Sequence, residues 1–139
     1  MIVDCLLDTN VLLYAAAGRG ADEWKRLRAL DLIESADFGT SAQVLQEFYV
    51  VVTRKARVAM PPAEAAEWIE RLSSRPVAAI DESLVRQAIH LSAHHQISYW
   101  DAAVIVAARN LGAPILYSED FSHGQSYADV QVLNPFRPI

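Results

Sequence analysis

Four acidic residues interrupt apolar segments of this 139-residue chain: Asp8, Glu47, Asp101 and Asp120. Asp8 ends a nearly uninterrupted apolar run and is followed at once by helix-capping residues, so it lies where a buried strand gives way to a helix. In open α/β sheets, ligands bind at the carboxyl ends of the strands. Four carboxylates gathered at one place cannot all stay ionised without a cation. If the fold brings these acids together, the sequence predicts a metal site.

Each acid also has a simpler interpretation. Asp8 could act only as the N-cap of the helix that follows it. Ser98-Tyr-Trp-Asp101 fits a capping box, although the apolar turns after it predict a buried helix whose terminal acid needs further partners. Glu47 lies at the margin of the apolar stripe of its helix, where a surface glutamate is equally common, and Asp120 could be an ordinary loop acid. These separate roles explain the joint pattern less well than a shared site does.

Oxygen ligands from carboxylates suit the hard cations Mg²⁺ and Mn²⁺. One or two such ions can activate water and stabilise both oxygens of a phosphodiester displacement. The short polar residues Thr9, Asn10 and Ser118 adjoin the acids and could bond water or a phosphate, although turn and cap roles suit them equally. His123 follows Asp120 by three residues, and we expect it to have a structural or substrate-positioning role.

Strand and helix patterns alternate along the chain, which predicts one α/β domain with a parallel sheet of about five strands and helices on both faces. Thr40-x-x-Gln43 resembles a capping box, and it predicts a helix that runs to about Lys55. A helix from Trp100 to Leu111 is expected to end at Gly112. The predicted strands are residues 2–7, 38–41, 77–80, 114–117 and 130–133.

The composition is that of a globular protein, with 53% hydrophobic and 21% charged residues. No apolar run approaches the roughly 20 residues that span a bilayer, and no basic region precedes the N-terminal apolar run, so we expect a cytoplasmic protein without membrane contact. The net charge of −5 argues mildly against nucleic-acid binding. A metal that offsets the acids would weaken this argument, and so would two basic clusters, at 25–28 and 54–57, which could equally be ordinary solvated helix faces.

Three other residue types offer weaker candidates. The single cysteine, Cys5, is interpreted as a small buried hydrophobe. His90 and His94 share a helix face, but a zinc site would need further nitrogen or sulfur ligands at suitable spacing. The tryptophans at 24, 68 and 100 are expected in the core or an interface rather than as platforms for stacking bases.

The ordered motifs carry a family resemblance. These motifs are Leu7-Asp8-Thr9-Asn10-Val11-Leu12, Glu47 in a helix, Trp100-Asp101-Ala102, and residues 116–125 followed by Asn134-Pro-Phe. In this order they resemble the PIN-domain ribonucleases, and most closely the VapC-like toxins of bacterial toxin–antitoxin pairs. The resemblance implies a Mg²⁺- or Mn²⁺-dependent endoribonuclease, commonly a homodimer, that a cognate antitoxin inhibits. It maps the acidic site onto Asp8, Glu47, Asp101 and Asp120, with Thr9 or Ser118 as polar auxiliaries and Glu119 as a rival for the fourth position.

Two other functions fit parts of the pattern. Aspartate-based phosphotransfer also places an Asp after the first strand, but it expects an acid where Asn10 stands and a lysine after a late strand, whereas the lysines are Lys25 and Lys55. A noncatalytic binding module would use the acids only as helix caps. The absence of divalent-cation binding would favour such a module.

Overall fold

The computed structural model describes residues 2–54 and 60–137. Its six strands form one sheet in the order β3-β2-β1-β4-β6-β5. All neighbouring pairs are parallel except β5 with β6, so the predicted α/β class with a mainly parallel sheet is confirmed. The strands are β1 (Cys5–Leu7), β2 (Phe38–Ser41), β3 (Val77–Ala78), β4 (Ile115–Tyr117), β5 (Ser126–Tyr127) and β6 (Val130–Leu133).

Six α-helices connect the strands in the described part of the chain, and a single 3-10 turn (Gly20–Asp22) precedes the second of them. Gly112 follows the sixth helix with φ of +69°, a left-handed conformation that glycine adopts without strain. The helices are α1 (Thr9–Ala17), α2 (Glu23–Ser35), α3 (Ala42–Arg54), α4 (Pro62–Leu72), α5 (Glu82–His95) and α6 (Tyr99–Asn110).

Alternating side chains of β1 divide the core into two layers. Leu6 packs on one face of the sheet with residues of α5 and α6, whereas Cys5 and Leu7 pack on the other face with residues of α1 to α4. Residues 102–108 of α6 are all buried, as expected for a helix that is apolar all round. Burial also raises the pKa of the Cys5 thiol to about 11, which agrees with its interpretation as a buried hydrophobe.

Two local features differ from the predictions, and one predicted alternative is decided. The two-residue strand β5 was not predicted, because its short polar sequence carries no alternating pattern. The cap of α3 is Ser41, whose hydroxyl accepts the Val44 N–H at 3.1 Å, and Thr40 is instead a buried residue of β2. Asp81, one of two predicted starts, caps α5. The predicted extension of α3 to Lys55 lies outside the described residues.

Two of the three tryptophans lie outside the core, so an interface role stays a prediction for them, and the first basic cluster forms ion pairs. Trp68 is half-buried against Phe48, but Trp24 and Trp100 are 51% and 65% exposed, so neither belongs to the core. The three basic residues of 25–28 each form an ion pair, with Glu119, Glu23 and Asp31 respectively, and so are not plain solvated charges. Lys55 and Arg57 of the second cluster lie outside the described residues.

Two negative findings concern the described ranges only. No helix there is long and apolar enough to cross a membrane. The rings of His90 and His94 stack with centroids 6.5 Å apart, but residues 2–54 and 60–137 contain no group of three His, Cys, Asp or Glu side chains that could hold one metal ion.

Candidate active site at the carboxyl edge of the sheet

Asp8 and Ser118 lie side by side because they follow neighbouring strands. β1 and β4 run parallel in a register that pairs Leu7 with Tyr117, and each site residue comes directly after its strand. The Asp8 N–H donates to the Tyr117 carbonyl at 3.0 Å, which continues the ladder one step past β1. The Ser118 hydroxyl then donates to Asp8 Oδ2 at 2.7 Å. Parallel pairing therefore places these two side chains together.

Asp8 is both a helix cap and the most perturbed acid of this edge. Its Oδ1 accepts the Thr9 N–H at 2.8 Å, and the residue is only 7% exposed. Burial is the main cause that raises its pKa to about 6, with smaller contributions in the same direction from the charges of Asp120 and Glu47; the hydrogen bonds from Ser118 and Thr9 oppose them. Asp8 therefore caps α1 and at the same time lies near Asp120 and Glu47.

Glu47 faces the same edge from α3. Its Oε2 accepts the Thr9 hydroxyl at 3.3 Å and its Oε1 accepts the Gln43 amide at 3.0 Å, although the residue as a whole is exposed. The Gln43 amide also donates to the Trp100 carbonyl at 3.4 Å, which ties α3 to the start of α6. The position of Glu47 at the margin of the buried stripe agrees with the helical geometry of the sequence.

Asn10 positions the loop that carries Asp120. Its amide donates to Asp120 Oδ2 at 3.0 Å and to Ser118 Oγ at 3.4 Å, and its carbonyl oxygen accepts the Glu119 N–H at 3.3 Å. The Asp120 N–H donates in turn to Ser118 Oγ at 3.2 Å. All three short polar residues of the prediction, Thr9, Asn10 and Ser118, thus contact acids of this edge.

Glu119 is held by a different set of partners. Its Oε2 lies 2.6 Å from Lys25 Nζ and its Oε1 accepts the Tyr14 hydroxyl at 2.8 Å. Lys25 Nζ also lies 4.7 Å from the centroid of the Tyr14 ring, within cation–π range. Sequence reasoning did not find Lys25 and Tyr14, because no local pattern links α1 and α2 to a residue almost a hundred positions further on. This network turns Glu119 toward α1 and α2.

The hydrogen bonds of Asp101 and His123 join them to residues outside the group of acids. The Asp101 N–H donates to Ser98 Oγ at 3.0 Å in the first turn of α6, which is half of the predicted capping box. No hydrogen bond from the Asp101 side chain to another site residue is present in the described part of the chain. His123 Nδ1 accepts the Asn134 N–H at 3.0 Å, which fixes the loop after β4 against the segment after β6.

The donor set fits a hard cation, because every candidate ligand is an oxygen. The acids border one another without forming a closed cage, since no three of them lie within reach of a single ion among the described residues. Mg²⁺ is commonly held by one or two carboxylates with water completing its shell. Asp8 and one neighbouring acid would supply such a site.

The raised pKa of Asp8 predicts that Asp8→Asn stabilises the metal-free protein at neutral pH. A carboxyl whose pKa is higher in the folded state contributes stability below its ordinary pKa of 3.8 and loses it as pH rises through about 6. The difference between these two pKa values corresponds to about 3 kcal/mol of folding stability. In urea denaturation with chelator, the free energy of unfolding of the variant should exceed that of the parent by up to that amount above pH 6 and by little near pH 4. Asp4→Asn, at an exposed acid, is the control, and an advantage that does not change with pH would contradict the assignment.

Comparisons with known proteins identify the fold and the family of this chain. The model of the PIN-domain family matches residues 5–125. A toxin–antitoxin complex from Klebsiella pneumoniae has the same fold, with a TM-score of 0.72 and 16% identity over 96% of this chain and 99% of that one. VapC20 from Mycobacterium tuberculosis, a Sarcin-Ricin loop cleaving toxin, has a TM-score of 0.67 and 22% identity over 91% of this chain and 98% of that one. FitAcB from Neisseria gonorrhoeae has a TM-score of 0.63 and 21% identity over 96% of this chain and 99% of that one. No curated protein matches. Since the family model covers most of its length, the chain belongs to the PIN-domain family.

Proposed function

We propose that this chain is a Mg²⁺- or Mn²⁺-dependent endoribonuclease and the toxin of a toxin–antitoxin pair. The observation that carries the proposal is the buried Asp8 carboxylate, which directly follows β1 and whose pKa is raised in part by the charges of Asp120 and Glu47. Burial and two further acids make the ionised form of Asp8 costly, and a bound cation would offset that cost. Membership of the PIN-domain family supports the nuclease assignment.

The side chains around Asp8 have distinct roles in this proposal. Asp8 is the anchoring ligand, and the Ser118 hydroxyl fixes one of its oxygens. Thr9 holds Glu47, and Asn10 holds Asp120, so both acids keep their place at the edge of the sheet. Asp101 supplies a further carboxylate from the first turn of α6.

The bound cation would polarise a water molecule for attack and offset the charge that develops on the scissile phosphate. Since water is then the nucleophile, the chemistry does not require the ribose 2′-hydroxyl. We assign RNA rather than DNA as substrate from the resemblance to VapC-like toxins. His123 is proposed to position the substrate from the loop after Asp120.

The central prediction is that the purified protein cleaves RNA with Mg²⁺ or Mn²⁺ and stops when the metal is chelated. Asp8→Asn should lower the cleavage rate by more than about 100-fold, because even the loss of a group that merely orients a metal ligand costs 10- to 100-fold. Gel analysis of RNA fragments measures the rate. Asp4→Asn should cleave normally, and activity that survives both chelation and Asp8→Asn would exclude this site as its source.

A matched pair of variants distinguishes the two neighbouring acids of the loop. Asp120→Asn should reduce metal-dependent cleavage by about 10- to 100-fold. Glu119→Gln should change it by less than about threefold, because Glu119 contacts Lys25 and Tyr14 rather than Asp8 or Asp120. A glutamine keeps an oxygen for Lys25, and its amide can donate to the Tyr14 hydroxyl. The same RNA assay measures both, with thermal melting as the test of folding. The opposite ranking would make Glu119 the fourth acid.

The partners proposed are a cognate antitoxin and a second copy of the chain. The antitoxin proposal is supported by one of the similar structures, which is described as a toxin–antitoxin complex from Klebsiella pneumoniae. An apolar groove between α3 and α4 includes Leu45, Tyr49, Val50 and Ile69, and it would be covered by a second copy. An antitoxin arginine could also pair with a carboxylate of the acidic site.

Co-expression with the neighbouring reading frame tests these partners. We expect the two chains to purify together, and we expect the isolated chain to have twice the monomer mass of 15.4 kDa in sedimentation experiments. Val50→Glu should return it to the monomer by placing a charge in the apolar groove. Failure of the neighbouring chain to bind would contradict the antitoxin proposal, and a monomeric parent would contradict the dimer.

A further inference from the structure

A second feature of the carboxyl edge is a groove of about 580 Å³ beside the acidic site. We call it the basic groove. It lies between α2 and the segments that follow β4 and β6. Its lining includes Trp24, Arg28, Tyr117, His123, Asn134 and Arg137.

The basic groove is continuous with the acidic site through the backbone. Tyr117 lines the groove, and the next residue is Ser118, whose hydroxyl donates to Asp8. The Ser118 N–H also donates to the carbonyl of Leu133, another lining residue, at 3.0 Å. The basic groove and the acidic site are therefore neighbours at the same edge of the sheet.

The charge of the groove is opposite to that of the acidic site. Two arginines line it and none of its described lining residues is acidic, in a chain whose net charge is −5. Arg28 Nε donates to the Pro135 carbonyl at 3.2 Å, which holds the guanidinium at the groove, and its ion pair with exposed Asp31 is a weak surface contact. Arg137 has no ion-pair partner among the described residues.

His123 and Trp24 add a donor and a stacking surface. Because His123 Nδ1 accepts the Asn134 N–H, the neutral ring carries its proton on Nε2, which is then a hydrogen-bond donor. Trp24 is 51% exposed, and its indole meets Phe136 edge-on at 6.3 Å. Arginines that pair with phosphates and an exposed aromatic ring that stacks on a base are the combination that binds single-stranded nucleic acid.

We propose that the basic groove binds a nucleotide of single-stranded RNA adjacent to the scissile bond. Arg28 and Arg137 pair with its phosphate, His123 donates a hydrogen bond to it, and Trp24 stacks on its base. This inference rests on the proposed nuclease function and assigns it a substrate-binding subsite on named residues. The arginines and the continuity with the acidic site favour RNA over an apolar peptide as the occupant.

Binding of a short fluorescein-labelled single-stranded oligoribonucleotide in chelator tests the groove without cleavage. Trp24→Ala should raise Kd by about 5- to 150-fold, the loss of one stacked base. Arg137→Gln should weaken binding and reduce the salt dependence of log K by about 0.7 per lost phosphate contact. Arg109→Gln, at an exposed arginine in a separate groove between α5 and α6, is the matched control and should bind normally.

Steady-state cleavage separates this inference from the proposed function. With Mg²⁺, both groove variants should raise KM and keep kcat, because the acids of the cleavage site are unchanged. If Arg137→Gln and Trp24→Ala bind RNA like the parent, or if Arg109→Gln has the same effect, the groove proposal is wrong. If Arg137→Gln and Trp24→Ala lose antitoxin binding but keep RNA binding, the groove is a peptide surface and the proposal is also wrong. If the parent binds RNA but never cleaves it, the nuclease proposal alone fails.

Discussion

The hydrogen bond from the Ser118 hydroxyl to Asp8 is the contact on which the arrangement of this edge depends. It joins the ends of two neighbouring strands, and the same Ser118 oxygen receives the Asp120 N–H. A buried carboxylate without such partners would be too costly to keep ionised. The hydroxyl offsets part of that cost, and the Thr9 N–H, which Asp8 caps, offsets a further, smaller part. The edge is therefore polar where the sheet below it is apolar.

The neighbouring acids of the loop after β4 show how packing separates similar side chains. Glu119 and Asp120 are adjacent in sequence, yet one contacts Lys25 and Tyr14 and the other contacts Asn10. The Lys25 ammonium lies among aromatic faces and carries the positive charge that keeps Glu119 on its side. The orientation of the loop thus depends on α2 as well as on the strand before it.

The parts of the fold that follow periodic patterns were predictable from the sequence. The start of α1 at Thr9, the end of α6 before Gly112 and the strand Val130–Leu133 agree with the structure, because capping residues, glycine and β-branched runs act locally. The convergence of Asp8, Ser118 and Asp120 was predictable as well, since parallel strands end at one edge. The cap of α3 was misplaced by one residue, because Thr40 and Ser41 have similar capping propensities and only packing buries the first.

What the sequence could not indicate depends on contacts between distant elements. The partners of Glu119 and the exposure of Trp24 follow from how α2 lies against the end of the chain, where Phe136 packs on Tyr14 and Trp24. Composition likewise concealed the basic groove, because a net charge of −5 averages over an acidic and a basic region that are neighbours.

The two outer strands of the sheet have a consequence for how the protein assembles. β3 and β5 contain two residues each, so each edge offers few backbone groups for pairing with another chain. Short edge strands protect sheets against strand addition and aggregation. Another polypeptide would therefore gain little by extending this sheet, and stable association is expected to use side chains on the helices. Recognition of a partner then depends on side-chain shape and charge, which can diverge between related pairs while the fold stays the same.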